Sequence, residues 1–269
     1  MDVKNAARKA LGPAGVRFLK RLLGRERLSE VEVVADVILR GRPVGTMFDV
    51  GAHKGYELEH FANRGWSVVA FEPDNENRKI LLERFGANPR VKVDTRAVSE
   101  KIEQGLAFFS SDVSTGISGL LAFHDSHHET QRVDTTTIAE AMTQYGVEHI
   151  DFLKIDIEGY DFFAIKGIDW NRKVPDVILC EYENRKTIKL GYTVDEMVGY
   201  LRDHGYQVTM SEWYPIVEYG RTHKWKRFTD DVTALDPNGW GNLIAYQPLP
   251  QHADLHADRL PAIAKRLFG

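Results

Sequence analysis

The chain of 269 residues contains one cysteine, Cys180. No internal disulfide can form, so the fold has to be held by apolar burial. Cys180 lies in the apolar run "DVILCEY" and reads as a buried thiol. Long hydrophobic stretches are also lacking. No run of eighteen apolar residues occurs, so nothing in the sequence reads as a membrane span. The N-terminus has neither the apolar block nor the small-residue cleavage site of a signal peptide, and a reducing cytoplasm is the expectation. Excess positive charge is missing too. A net charge of −4 argues against a nucleic-acid partner. There is no internal repeat and no low-complexity segment. What is present, 43% hydrophobic residues over this length, suffices for one large domain with appendages.

Charge is unevenly spread. The first 27 residues hold eight Lys and Arg against two acids, and Val16, Leu19 and Leu23 fall at helical spacing. Such a basic amphipathic helix either packs its apolar stripe on the main domain or lies peripherally on an anionic membrane surface, here the inner face. The expected organisation is an N-terminal helical extension over 1–44, a core domain over 45–250 and a C-terminal helical tail over 251–269.

The middle of the chain alternates short apolar runs with helical patterns, the signature of a parallel sheet with crossover helices. The runs fall at 46–50, 67–72, 91–98, 151–156, 176–182, 206–212 and 242–247. Ser29-Glu30-Val31-Glu32 predicts a capped helix ending at Gly41, Thr137 one closing at Gly146, and Thr193 one closing at Gly205. Further helices are expected within 55–64, 75–85 and 160–166. Residues 99–136 break the rhythm and read as added strands and a loop. Residues 213–240 read as an irregular aromatic-rich insertion before the last strand. The predicted class is α/β: a Rossmann-like, mostly parallel seven-stranded sheet with helices on both faces and extra N-terminal helices.

"FDVGAHKGYE" (48–57) follows the first strand. Its glycines, Gly51 and Gly55, allow a sharp turn and close approach of backbone to a ligand. Glu72-Pro73 ends the second strand, 21 residues after Gly51, where an acid suits a ribose diol. A dinucleotide loop would place a second glycine where His53 stands, so a pyrophosphate fits badly. Asp49 is a poor neighbour for phosphate and a good one for an ammonium or sulfonium. Together these features point to S-adenosylmethionine, with S-adenosylhomocysteine as its product.

"FDVGAHKG", "FEPD", "RAVSE", "DFLKIDIEGYDFFAIKGI" and "PDVILCEY" resemble the FkbM family of S-adenosylmethionine-dependent methyltransferases, over about 47–205. The resemblance implies a class I methyltransferase fold and, most often, O-methylation of sugars or other small hydroxylated metabolites. Carried over by position, Asp49, Gly51, Ala52, His53 and Gly55 would line the donor. Glu72 with Pro73 would hold its ribose, and Ala97-Val98 would pass along the adenine.

Methyl transfer to a hydroxyl needs positioning and a proton acceptor. In an open α/β sheet the ligand sits beyond the carboxyl ends of the strands, where Asp156 falls. Asp156 is therefore the first candidate for the donor and acceptor side, with Glu181 on the next strand and His53 as further candidates. Lys154 lies deeper and must be paired; an internal salt bridge is the expectation, with Glu181 or Glu158 as a candidate partner. Glu158 is open between a helix start and the acceptor site. A divalent metal on Asp156 and Glu181 is conceivable but has no third ligand, and none is predicted. The His-rich stretch 123–130 is expected to be a solvated loop or acceptor lining. Trp213, Tyr214, His223, Trp225 and Trp240 suit a hydroxylated ligand, and nearby basic residues suit a phosphate or carboxylate. The expected function is O-methylation of a sugar or glycan-linked acceptor. The alternatives are a non-sugar small metabolite as acceptor, or a non-catalytic scaffold that binds the donor.

Overall fold

The computed structural model describes residues 28–111, 118–122, 125–172, 174–217 and 223–268. The basic N-terminal stretch, His124, Tyr219 and Arg221 lie outside these residues. The first described helix, α1 (Glu30–Gly41), is capped by Ser29, whose hydroxyl accepts from the Glu32 amide. It is followed by β1 (Thr46–Val50), α2 (Glu59–Ala62), β2 (Ser67–Phe71), α3 (Asn75–Phe85), β3 (Val91–Asp94) and β4 (Ala97–Val98). Next come β5 (Leu106–Ser111), β6 (His127–Val133), β7 (Thr135–Thr136), α4 (Ile138–Tyr145), β8 (Phe152–Ile155) and α5 (Asp161–Lys166). The chain continues through β9 (Val177–Glu183), α6 (Asn184–Thr187), α7 (Val194–Asp203), β10 (Gln207–Trp213), β11 (Trp225–Thr229), β12 (Trp240–Tyr246) and α8 (Leu260–Phe268).

The main sheet has eight strands in the order β11-β10-β12-β9-β8-β1-β2-β3. Strands β3, β2, β1, β8 and β9 run parallel, β12 is antiparallel to both β9 and β10, and β11 is antiparallel to β10. The α/β class is as the sequence predicts, with one strand more. The extra strand is β11, which comes from the insertion read as irregular: Trp225–Thr229 pairs with the outer edge of β10. The run 91–98 is also two pieces. After β3 the chain bends, and Ala97-Val98 leaves the main sheet to pair with Thr135-Thr136. The segment between them folds as the antiparallel pair β5–β6, and His127 and His128 lie on β6. Among the described residues no helix is long and apolar enough to cross a membrane.

Strand alternation divides the core. Met47, Val68, Phe152, Val177 and Leu179 face one layer, packed with Val31, Val34, Ile38, Phe61, Leu81 and Leu260. Phe48, Val69, Leu153, Ile178 and Cys180 face the other, with Ile138, Phe162, Ile165, Met197 and Leu201. The same parity fixes the functional face. Asp49 shares the face of Met47, and Lys154 and Asp156 that of Phe152. The register sets Asp49 directly beside Lys154. Helix α1 therefore covers the sheet face that carries the charged residues.

Candidate active site

Beyond the carboxyl ends of β1, β2 and β8 lies a cavity of about 210 Å³, walled by Gly51, Ala52, His53, Glu72, Pro73, Ala97, Val98, Phe108, Ser118, Lys154, Asp156 and Tyr160, among others. Of the residues carried over for the donor, Gly51, Ala52, His53, Glu72, Pro73, Ala97, Val98 and Asp156 all meet here. Asp49 and Gly55 are placed differently. Asp49 is fully buried beneath the loop, with Oδ1 3.2 Å from Lys154 Nζ. Gly55 packs against α3: a Cβ there would come within 2.6 Å of Leu81 and 2.9 Å of Phe85.

Two left-handed backbone positions shape the loop. Gly51 has φ +77°, and a Cβ on it would sit 2.0 Å from the Asp156 carbonyl oxygen, so the loop touches the β8 end backbone to backbone. His53 adopts φ +48°, which directs its amide to donate to Glu72 Oε2 at 2.6 Å. The Asp74 amide donates to Oε1 of the same carboxylate at 2.8 Å. Burial still raises Glu72 to about 7, against those two amide bonds. Burial also lowers His53, and Lys54 and Lys154 push the same way, so its imidazole stays neutral.

Lys154 is the centre of the floor. Its ammonium donates to the Gly51 carbonyl at 2.9 Å and lies 3.2 Å from Asp49, 3.1 Å from Glu57 and 3.8 Å from Asp156. Burial opposes its charge, but Asp49, Glu57 and Asp156 override this and hold it well above the ordinary lysine value. Burial raises Asp49 to about 6, with Lys154 pulling in the opposite direction. The internal salt bridge is present, but its partners are not Glu181 or Glu158. Those two belong to Lys186, whose ammonium lies 2.6 Å from Glu158, 3.3 Å from Glu181 and 2.9 Å from Glu183. The reason is geometric. Glu158 has φ +58° in the turn after β8, which swings it away from Lys154 and toward the chain following β9.

At the start of α5, Asp161 is fully buried and accepts from the amides of Gly159 and Glu181. Burial raises it to about 7, and Asp156 adds to the shift. Burial likewise pushes up Glu158 and Glu181, with Lys186 opposing it in both.

A second cavity, about 270 Å³, adjoins the first. Leu28, Ser29, Glu30, Val31, Leu179, Glu181, Trp213, His223, Trp240 and Asn242 contribute to its wall, together with Glu57, Lys154 and Asp156. The last three also line the first cavity. Trp213 and Trp240 are stacked at 5.3 Å, and His223 meets Trp240 edge-on at 5.3 Å. Glu30 is buried and accepts from Ser211 Oγ and Trp213 Nε1. Two of the aromatic candidates do not reach the cavity. Trp225 packs on Phe228 and donates to Ser211, and Tyr214 is largely exposed beside Lys224 and Lys226. The basic residues read as phosphate partners are also committed elsewhere: Lys226 and Arg227 both bind the buried Glu212, at 2.8 and 2.7 Å.

Two groups of described residues have metal-like spacing. Asp156, Glu158 and Glu181 place oxygens within 4.8 Å of one another, which supplies the third carboxylate that the sequence did not show. Lys186 already neutralises two of them. His149, Asp151 and Asp176 cluster at the opposite edge of the sheet, where Arg42 pairs with both aspartates.

The Methyltransferase FkbM domain family matches residues 49–208, more than half of the chain. The chain belongs to the FkbM methyltransferase family. A search of curated proteins finds no match. Among solved structures, the precorrin-6y C5,15-methyltransferase of Geobacter metallireducens is 15% identical, with 82% of this chain and 90% of that one covered and a TM-score of 0.43. An rRNA methylase of Streptococcus thermophilus is 9% identical, with 82% and 98% covered and a TM-score of 0.43. Neither likeness bears on the acceptor of this FkbM methyltransferase.

S-adenosylmethionine is the donor substrate that the family implies, and the first cavity suits it. The Ser118 hydroxyl is buried at the cavity wall and has no hydrogen-bond partner among the described residues, which a polar ligand atom would satisfy. Phe71, Val98, Phe108, Leu120 and Ile157 offer an apolar slot for a base, and Glu72 an acceptor for a diol. Several residues here were not read from the sequence. Lys186 and Glu57 carried no motif. Phe108 and Ser118 come from the 99–136 segment, whose place over the donor cavity depends on the β4–β7 pairing.

Proposed function

We propose that this FkbM methyltransferase transfers a methyl group to a hydroxyl of a sugar or glycan-linked acceptor. The observation that carries the reading is the junction of the two cavities at Glu57, Lys154 and Asp156. A cavity with an apolar slot and the Glu72 carboxylate on one side meets a cavity walled by stacked indoles and carboxylates on the other. Aromatic faces with adjacent carboxylates suit a ring that carries hydroxyls.

When bound, the donor supplies a methyl carbon already activated by a sulfonium. The chain's own residues do the rest. Glu72, oriented by the His53 and Asp74 amides, accepts from the ribose hydroxyls. Lys154 ties the Gly51 loop to the end of β8 and fixes the spacing of the two cavities. Asp156, whose side chain is 46% exposed at the junction, takes the acceptor hydroxyl's proton. The acceptor oxygen bonds the methyl carbon as the C–S bond breaks, with the electron pair left on sulfur. Asp156 is preferred to His53 because Asp156 lines both cavities while His53 lines only the first, and to Glu181 because Lys186 holds that carboxylate.

Calorimetry with S-adenosylhomocysteine tests the donor half, and absence of binding refutes the reading. Asp156→Asn is expected to keep that binding and to lower kcat about 10²–10⁴-fold, the usual worth of a positioned general base. Retained turnover in that variant moves the proton-acceptor role to another group.

A further inference from the structure

The junction between the cavities gathers more carboxyl groups than ammonium groups; burial favours the neutral form of Asp49, Glu158 and Glu181, while Glu57 and Asp156 are exposed to the cavities. Lys154 is surrounded by Asp49, Glu57 and Asp156, and Lys186 by Glu158, Glu181 and Glu183. That is six carboxylates around two ammonium groups, before Glu30 is added to the wall of the second cavity. Lys226 and Arg227 are both bound to Glu212 and line neither cavity. A phosphorylated or carboxylated acceptor would meet repulsion here. A cation would meet charge and rings together: Glu57 lines the same wall as the Trp213–Trp240 pair. Glu57 adjoins Asp156 and shares Lys154 with it.

Building on the proposed function, we infer that the acceptor carries a protonated amino group next to the hydroxyl that is methylated, as in an amino sugar or aminocyclitol. Glu57 receives the ammonium, the indole pair packs on the ring, and Asp156 faces the hydroxyl. The ammonium serves as a binding handle and not as the nucleophile, because once protonated it has no lone pair to attack the methyl carbon. Carboxylate and indole are the two groups that recognise an ammonium best in a partly desolvated site.

The test uses the full chain saturated with S-adenosylhomocysteine, titrated calorimetrically with methyl glucosaminide, its N-acetyl derivative, methyl glucoside and glucose 6-phosphate. The amine is expected to bind about tenfold more tightly than the glucoside, the size of one charge-assisted contact. The N-acetyl compound should match the glucoside, and the phosphate should bind worst. Glu57→Gln should cut the ratio of amine to glucoside affinity severalfold; Glu57 is 42% exposed, so its neutralisation spares the fold. Equal binding of amine and glucoside, an absent response to the amine, or best binding by the phosphate overturns the inference. Failure of the preliminary titration with S-adenosylhomocysteine would instead remove the functional reading on which it rests.

Discussion

Replacing Lys154 with Met keeps the length of the side chain and removes the charge. In the native protein that ammonium is 5% exposed, Asp49 is fully buried beside it, and the Gly51 carbonyl accepts from it at 2.9 Å. Removing one partner of such a pair leaves a carboxylate with no counter-charge, a loss of roughly 3–5 kcal/mol where the survivor stays ionised. Asp49 has a way to limit that loss. With Lys154 present it is already raised to about 6. Without Lys154 it rises further and takes up a proton in the folded state that it lacks in the unfolded state near neutral pH. The folded state then binds more protons than the unfolded one, so stability falls as pH rises. The deficit of Lys154→Met should therefore be small near pH 5 and widen toward pH 8. A loss of about 3 kcal/mol at pH 8 corresponds to a drop in Tm of roughly 6–12 °C for a chain of this size. Urea unfolding at three pH values, followed by fluorescence, reads it. Adding Asp49→Leu should recover most of the stability, since the uncompensated acid is gone. A loss under about 1 kcal/mol at pH 8, a deficit independent of pH, or a double variant no better than the single one would refute the reasoning.

Two other outcomes follow from the donor cavity. Glu72 is raised to about 7 and must be ionised to accept from both ribose hydroxyls, so S-adenosylhomocysteine should bind more weakly as pH falls below 7, by up to about tenfold per unit; Glu72→Gln should bind weakly at every pH, and a flat wild-type profile from pH 5.5 to 8 argues against the role. Gly51→Ala combines φ +77° with a Cβ 2.0 Å from the Asp156 carbonyl oxygen, and is expected to abolish donor binding while the sheet still folds, as seen by circular dichroism and a titration with S-adenosylhomocysteine.

The strands and the glycine loop were legible because their signals are local. Apolar runs at period two and capped helices at period 3.6 depend on near neighbours in sequence. The charged residues show where that reading stops. Asp156 was legible as a strand-end residue, and the need for Lys154 to be paired followed from burial alone. The identity of the partner did not. Asp49 is 105 residues earlier, and only the β1–β8 register brings it alongside. Shared parity on adjacent parallel strands would have been the available clue. Lys186 had no such clue, since its position depends on α6 turning back beneath the left-handed Glu158. Aromatic residues in 211–240 were visible as a group, yet whether each faced a cavity or the core turned on β11, a strand with no clean alternation.

The reversed course of β12 has a consequence for how this protein can change. Because β12 runs against its neighbours, it begins at the same edge of the sheet where β10 ends, and Trp213 is paired with Trp240 across that edge. The chain thus leaves the sheet at Trp213 and re-enters it at Trp240 through one doorway, next to the second cavity and away from the Gly51 loop. Strand β11 has to stay, since Phe228 packs in the core and Lys226 and Arg227 hold the buried Glu212; the connections on either side of it can change in length and sequence with the half around the Gly51 loop left as it stands.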